Sequence, residues 1–194
     1  MAFKDYFKEH QSIQINKVGN TGLDIFLRRV NPEKDVENYL EIYSDAEVFE
    51  YLSGNSPTPK LESVQKIIAN EIKFFDNGSM YAWVITDAKS DKLIGKIFLT
   101  HFEYNNKVSS IGYFLNRRYW GGGIITECIK AVTKFGFEYL ELERIYTTVS
   151  IDNPGSFKAL EKSGFTREGM LRHCFDLKNK LGDCYMYSKL DTDK

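Results

Sequence analysis

The sequence has few cysteines and no pattern typical of a metal site. Its three cysteines, Cys128, Cys174 and Cys184, are an odd number without a CxxC pair, and no His or Cys lies at the spacing of zinc ligands. We therefore expect no metal and a reducing compartment, the cytoplasm. Cys174 and Cys184 are predicted to remain separate thiols that pack across a hairpin whose turn is centred on Asn179.

Long apolar runs and an excess of charge of either sign are also absent. No stretch approaches the roughly 18 continuous apolar residues of a membrane span, and the N-terminus has scattered charges instead of the apolar segment of a signal peptide. Lys and Arg number 26 against 27 Asp and Glu. This balance gives no electrostatic reason to expect nucleic acid or an anionic membrane as a partner.

Repeats, low-complexity tracts and Gly/Ser-rich linkers are missing as well. A chain of 194 residues without such features is expected to form one domain over 1–194, with 1–22 as an N-terminal extension of unclear structure. The length is sufficient to bury a sizeable core.

Hydrophobic periodicity predicts a mixed α/β fold. Short turns join three of the strands into an antiparallel meander, and a helix connects two later strands in a parallel βαβ crossover. We expect a central mixed sheet flanked by about four helices, with a loop at 53–59. The predicted strands are 23–30, 81–87, 92–103, 109–116, 144–150, 165–174 and 184–190, and the predicted helices are 31–45, 61–75, 123–140 and 153–164.

Three consecutive glycines, Gly121 to Gly123, stand between a predicted strand and an amphipathic helix. A glycine-rich turn at a helix start exposes backbone N–H groups at the positive end of the helix dipole, which favours an anion such as phosphate. The nucleotide-binding patterns fit poorly. The only Gly-Lys pair, at Gly95, is followed by Ile, and Thr126 stands where the dinucleotide pattern needs its third glycine.

Four segments in order resemble the GNAT N-acetyltransferase superfamily, in particular its RimJ/RimL-type branch. "RYWGGG" (118–123) matches the pattern R/Q-x-x-G-x-G/A, and "DNPGSFKALEKSGFTREGMLR" (152–172) resembles the N-x-x-S helix and the strand after it. "SDAEVFEYLSG" (44–54) resembles the family's first helix and "GDCYMYSKL" (182–190) its last strand. The likeness extends over about 23–190, almost the whole chain.

The resemblance implies acetyl-CoA as the cofactor. Backbone N–H groups from Arg118 through Gly121, Gly122 and Gly123 to Ile124, with the Thr126 hydroxyl, would hold the pyrophosphate. The strands on either side of the glycine helix would splay apart and take the pantetheine arm between them. A backbone N–H near Phe114 or Leu115 would then polarise the thioester carbonyl.

The resemblance also gives roles to two residues of the next helix. Asn153 would touch the pantetheine, although Asn-Pro is also a plain helix cap. Ser156 would bind CoA or protonate the departing thiolate, although a serine at a helix start needs no function. Two positions depart from the family. Leu160 stands where many members have a tyrosine that acts as general acid, and Ser110 stands where many have a glutamate that acts as a base through water.

The group that deprotonates the amine is open at this stage. Candidates are Glu103 and His101 near one strand end, Glu50 before the 53–59 loop and Asp176 in the final hairpin. A relay through Cys128 is disfavoured because that residue lies on the apolar face of its helix. Tyr113 and Trp120 are expected to be core or cofactor-wall aromatics.

We therefore expect an acetyl-CoA-dependent N-acetyltransferase in which an amine attacks the thioester directly. The first choice of acceptor is a protein N-terminal α-amine of the ribosomal-protein type, followed by a related small amine. The alternative is a non-catalytic acetyl-CoA-binding sensor or interaction module that has lost its acid and base. The expected partners are the amine substrate and a second copy of the chain in a homodimer, without nucleic acid or membrane.

Overall fold

All eight strands of the described residues join one sheet. The computed structural model describes residues 12–50, 60–103, 105–177 and 180–193. Its strands are β1 (Ile13–Val18), β2 (Leu23–Arg28), β3 (Met80–Asp87), β4 (Leu93–Glu103), β5 (Val108–Leu115), β6 (Arg144–Ser150), β7 (Thr166–Leu177) and β8 (Lys180–Leu190). They lie in the order β1-β2-β3-β4-β5-β6-β8-β7, and only the β5–β6 pair is parallel.

Helices cover both faces of this sheet. They are α1 (Val36–Tyr43), α2 (Ala46–Phe49), α3 (Leu61–Asp76), α4 (Ile124–Tyr139) and α5 (Pro154–Lys162). One apolar core contains Ile97 and Ile111 of the sheet with Ile129 of α4, and the other contains Val84 with Tyr39 of α1. The predicted mixed α/β fold is thus confirmed, with α2 as a short fifth helix. The predicted loop at 53–59 lies outside the described residues.

Strand β1 was not predicted from the sequence. It pairs antiparallel with β2, and the pairing is irregular between Ile15 and Val18, where Lys17 has a φ of 50°. This irregularity breaks the alternation of apolar and polar residues by which a strand is recognised. Residues 12–22 therefore extend the sheet and end in a turn that lies against the glycine run.

Helix α1 begins later than the predicted Asn31-Pro cap. The Asn31 side chain instead accepts hydrogen bonds from the N–H groups of Glu33 and Lys34, which closes a turn. The buried Asp35 is the residue before the helix, and both of its carboxylate oxygens lie 2.8 Å from Arg28 guanidinium nitrogens of β2. This long-range ion pair sets the start of the helix, and the local pattern gives no sign of it.

The cysteine prediction for the last hairpin is contradicted. Cys174 and Cys184 form a disulfide with their Cα atoms 6.1 Å apart. The register shifts between Leu171 and Phe175, so that Cys184 lies opposite Leu171. The irregularity, and not a simple pairing across a turn centred on Asn179, brings the two cysteines together.

Two features are absent from the described residues. None of their helices is long and apolar enough to cross a membrane. No group of three or more His, Cys, Asp and Glu side chains among them could hold a metal ion.

Candidate active site

A crevice opens between the two parallel strands at the centre of the sheet. Strands β5 and β6 pair only from Val108–Arg144 to Ser110–Tyr146. Beyond this point, β5 stays paired with β4 and β6 stays paired with β8. The facing edges therefore diverge, as the family resemblance implied, which leaves room for an extended chain between residues 111–115 and 147–150.

The β4–β5 register decides which backbone groups face the crevice. The Asn116 N–H donates to the Ile94 carbonyl at 2.7 Å, and Gly95 lies opposite Leu115. Because hydrogen-bonded and non-hydrogen-bonded pairs alternate in an antiparallel ladder, Phe114 directs its N–H at β4, whereas Leu115 directs its N–H at the crevice. Of the two predicted donors, the geometry therefore favours Leu115.

Two aromatic residues frame this part of β5. The indole N–H of Trp120 donates to the Leu115 carbonyl at 2.8 Å, which fixes the end of the strand. The Phe114 ring lies on the opposite face of the sheet, against Tyr39 and Tyr43. The side chain of Phe114 thus belongs to the core under α1.

The first part of the glycine segment uses its own N–H groups. In the 3₁₀ turn Arg117–Tyr119, the Arg118 N–H donates to the Asn116 side chain at 3.1 Å, and the Tyr119 N–H donates to the Asn116 carbonyl at 2.9 Å. The Trp120 N–H donates to the Arg117 carbonyl at 3.1 Å. Arg118 was expected to offer its N–H to phosphate, but the turn already occupies that group.

The glycines and the start of α4 form the part that fits an anion. Gly121 and Gly123 have φ angles of 76° and 82°, which favour glycine. A Cβ at Gly121 would meet nothing within 4 Å, so the space beside it is open. The first intrahelical bond runs from the Glu127 N–H to Gly123, and helix geometry leaves the N–H groups of Ile124 and Thr126 without an intrahelical acceptor. These residues fit the pyrophosphate of acetyl-CoA at a helix N-terminus.

Arg117 and Arg118, beside the glycines, both lie near carboxylates of the α1–α2 region. Arg117 forms ion pairs with Asp45, at 3.1 Å, and with Glu47. Arg118 is 77% exposed and lies 3.6 Å from Glu41. Arg117 therefore anchors the loop to the neighbouring helical segment, and Arg118 is the arginine whose guanidinium stays largely in solvent.

Ser156 and Tyr113 meet across the crevice. The Asn153 side chain accepts from the Ser156 N–H at 3.0 Å, so it caps α5, and the hydroxyl of Ser156 lies 2.9 Å from that of Tyr113. Burial raises the pKa of Tyr113. Leu160, at the position of the family's acidic tyrosine, is fully buried in the core. From the sequence, Tyr113 was expected only to be a core or cofactor-wall aromatic. Its contact with Ser156 joins β5 and α5, which are far apart in the chain, so no local pattern indicates it.

A cavity of about 240 Å³ lies where the two strands part. Its lining consists of Phe98, Thr100, His101, Ser110, Ile111, Gly112, Tyr146, Thr147 and Thr148. His101 has a φ of 52° within an irregularity of the β4–β5 pairing, and such bulges can redirect a side chain. This cavity provides a compartment for a small group beside the crevice.

His101 is hydrogen-bonded to the residue that replaces the family's glutamate. Its Nδ1 lies 3.1 Å from the Ser110 hydroxyl, which donates to the Thr100 carbonyl at 3.2 Å. The serine oxygen therefore accepts from Nδ1–H, and this assigns the tautomer in which Nε2 can take up a proton.

The other candidate bases contribute no described side chain to this cavity. Glu103 accepts from the side chain of Asn106 at 3.0 Å in the β4–β5 turn and does not line the cavity. Glu50 is exposed at the end of α2, and the side chain of Asp176 lies outside the described residues. Cys128 is buried in the core, where burial raises the pKa of its thiol and disfavours the reactive thiolate.

Comparisons with known proteins identify the family. Residues 24–166 match the model of the acetyltransferase (GNAT) domain. The ribosomal-protein-serine acetyltransferase of Escherichia coli is 30% identical over 129 residues, which is 66% of this chain and 71% of that protein.

Two solved structures share the fold. The structure of Mycobacterium smegmatis RimJ in complex with CoA-disulfide has a TM-score of 0.82 at 19% identity, covering 93% of this chain and 87% of that one. The spermidine N-acetyltransferase of Vibrio cholerae, in complex with CoA and spermine, has a TM-score of 0.76 at 20% identity, covering 87% of this chain and 96% of that one.

The chain belongs to the GNAT acetyltransferase family. It is an acetyl-CoA-dependent N-acetyltransferase, and acetyl-CoA supplies the activated acetyl group as a thioester.

Proposed function

We propose that the enzyme acetylates a protein N-terminal α-amine, or a small amine that resembles one. The observation that carries this proposal is the cavity beside the crevice, with His101 and Ser110 at one side. Among the described residues that line it, none carries a carboxylate. A polyamine would need anionic partners along its length, whereas a single α-amine next to a small side chain does not.

The proton chemistry of an α-amine suits this site. Its pKa is about 7.7–8.0, against about 10.4 for a lysine, so a histidine is a strong enough base near neutral pH. In the proposed mechanism the Nε2 atom of His101 takes the amine proton, while Ser110 holds the ring in the required tautomer. The N–H of Leu115 would stabilise the charge that develops on the acetyl oxygen.

Ser156 is the proposed donor to the departing thiolate. Its hydroxyl lies 2.9 Å from that of Tyr113, so the phenol can replace the proton that Ser156 gives up. Asn153 orients Ser156 by accepting from its backbone N–H. Gly121, Gly122, Gly123, Ile124 and Thr126 are the proposed pyrophosphate residues.

An acceptor screen tests the proposal. Free-thiol release from acetyl-CoA should be measured with peptides that begin with alanine or serine, with the same peptides blocked at the N-terminus, and with spermidine, free amino acids and aminoglycosides. We expect turnover with the free peptides and none with the blocked ones. Faster turnover with spermidine would contradict the proposed acceptor class, and acetyl-CoA binding without turnover on any amine would favour the sensor alternative.

We also propose that the chain forms one domain over 1–194 and acts in the cytoplasm. The location is supported by the ribosomal-protein substrate named for the Escherichia coli relative.

A homodimer is the proposed assembly. Strand β7 lies at the edge of the sheet and exposes Met170 and Leu171 by 54% and 40%. The unpaired backbone groups of an edge strand favour association with another chain. Light scattering should give twice the chain mass of 22.5 kDa, and a single-chain mass would contradict this assembly.

A further inference from the structure

The turn between β1 and β2 lies directly on the glycine loop. The Asn20 N–H donates to the Gly122 carbonyl at 3.3 Å. A Cβ at Gly19 would lie 2.0 Å from that carbonyl oxygen, and a Cβ at Gly122 would lie 2.4 Å from the Thr21 methyl group. The two backbones can approach this closely only because Gly19 and Gly122 lack side chains.

The turn has its own internal support. The Thr21 hydroxyl donates to the Val18 carbonyl at 2.7 Å and accepts from the Leu23 N–H at 3.1 Å. Val18 is buried in the core that contains Ile124, the first residue of α4. The contact with the glycine loop therefore comes from a segment that the sheet and the core hold in place.

The contact fixes the direction of a peptide group in the loop. In a planar trans peptide, the carbonyl of Gly122 and the N–H of Gly123 point to opposite sides. Because Asn20 holds the carbonyl towards the β1–β2 turn, the Gly123 N–H must point away from that turn. Gly123 is also the N-cap of α4, so its N–H adds to the unpaired donors at the start of that helix.

We propose that the β1–β2 turn is a positioning element for the cofactor pyrophosphate, acting through Gly122. The proposal rests on the phosphate role of the glycine loop. The turn lies before residue 24, where the match to the family model begins, so the family model does not assign it. Without the turn, the Gly122–Gly123 peptide could rotate, and the loop would lose one preset donor to a charged group.

A rescue experiment tests this role. Gly122→Ala should raise the acetyl-CoA dissociation constant about tenfold, the loss expected for one misdirected hydrogen bond to a charged group. Thr21→Ser removes the obstructing methyl group but keeps the hydroxyl, so alone it should leave the constant within about twofold, and combined with Gly122→Ala it should restore most of the affinity. Calorimetry measures all three variants. Absence of rescue, or unchanged affinity in Gly122→Ala, would overturn the proposal.

A second pair of variants covers the case in which Gly122→Ala does not fold. Gly19 and Gly22 both have positive φ angles, but a Cβ at Gly22 would meet nothing within 4 Å. Gly19→Ala should therefore weaken acetyl-CoA binding about fivefold or more relative to Gly22→Ala, which shares the backbone strain. Equal affinities would refute the positioning role.

The phosphate role of the loop is tested separately with Gly121→Val/Gly123→Val. The β-branched side chains resist the positive φ angles of both glycines, and the one at position 121 enters the open space beside the loop, so binding should weaken at least about tenfold. Unchanged binding in this variant would remove the phosphate role itself. If Gly121→Val/Gly123→Val weakened binding but Thr21→Ser did not rescue Gly122→Ala, only the positioning role would be overturned.

Discussion

At the residue scale, the contact between Tyr113 and Ser156 makes a kinetic prediction. Ser156→Ala should lower kcat by about 100-fold, the lower end for general acid catalysis, with little change in the KM for acetyl-CoA. Tyr113→Phe should lower kcat less, and the double variant should be no worse than Ser156→Ala, because the phenol acts through the serine. Steady-state kinetics with the best peptide of the screen measure both parameters.

Tyr187→Phe is the matched control for this pair. Tyr187 is also a buried tyrosine with a hydrogen-bonded hydroxyl, but its partner is Glu161. The kcat of Tyr187→Phe should remain near that of the wild type. If Ser156→Ala raised KM and left kcat unchanged, Ser156 would bind the cofactor without protonating the thiolate.

A second residue-scale prediction separates the two candidate bases at the end of β4. His101→Gln should lower kcat/KM by about 100-fold, and Ser110→Ala should lower it less, because the serine only orients the ring. Glu103→Gln should change little, since Glu103 lies outside the cavity. The opposite ranking of His101 and Glu103 in the same assay would make the carboxylate the base.

The sequence could point to the candidate residues but not to their relations. The glycine run, Asn153 and Ser156 stand in local motifs whose spacing is visible in the chain. By contrast, the choice of Leu115 over Phe114 depends on the β4–β5 register, and the choice of His101 depends on a bulge. Both are set by contacts between strands, which the local pattern does not contain.

At the element scale, a buried ion pair joins α3 to the sheet. Lys96 of β4 lies 2.7 Å from Glu71 of α3, which also accepts from the Tyr39 hydroxyl of α1 at 2.9 Å, and all three side chains are buried. Lys96→Met should destabilise the protein by about 3–5 kcal/mol, because it leaves an uncompensated carboxylate in the core. Chemical denaturation measures this free energy of unfolding.

Adding Glu71→Met to Lys96→Met should recover part of the lost stability, because a buried pair can often be replaced by apolar side chains, whereas the buried Tyr39 hydroxyl loses its acceptor. Lys34→Met is the control: Lys34 pairs with Asp91 at the surface, and its loss should cost no more than about 1 kcal/mol. A double variant as unstable as Lys96→Met alone would show that the damage is a packing defect and not an unpaired charge.

Periodicity predicted the regular elements well and the irregular ones poorly. Helix α4 and strands β3 to β6 differ from their predicted bounds by one residue or so, because their apolar spacing is regular. Strand β1, the start of α1 and the register of β7 were missed. Each depends on a bulge or on a partner elsewhere in the chain, such as Arg28 for Asp35.

At the scale of the whole molecule, the two faces of the sheet carry different elements. The glycine loop, α4 and α5 belong to one face, while Phe98, Ser110 and Lys96 belong to the side covered by α1 and α3. The crevice between β5 and β6 connects the two faces of the sheet. In the proposed mechanism, the cofactor on one side and the amine on the other can therefore react without competing for the same space.

The proposed cofactor site also joins parts of the chain that are far apart in sequence. The β1–β2 turn, the glycine loop, the end of β5 and the start of α5 all border it. Acetyl-CoA at about 100 times its dissociation constant should stabilise the folded chain by about 2.7 kcal/mol, which corresponds to a rise in Tm of about 5–10 °C. A thermal-shift titration measures this rise. Because Gly121→Val/Gly123→Val is expected to bind at least about tenfold more weakly, it should show about half of this rise or less at the same concentration. An equal rise in that variant would mean that acetyl-CoA binds elsewhere on the molecule.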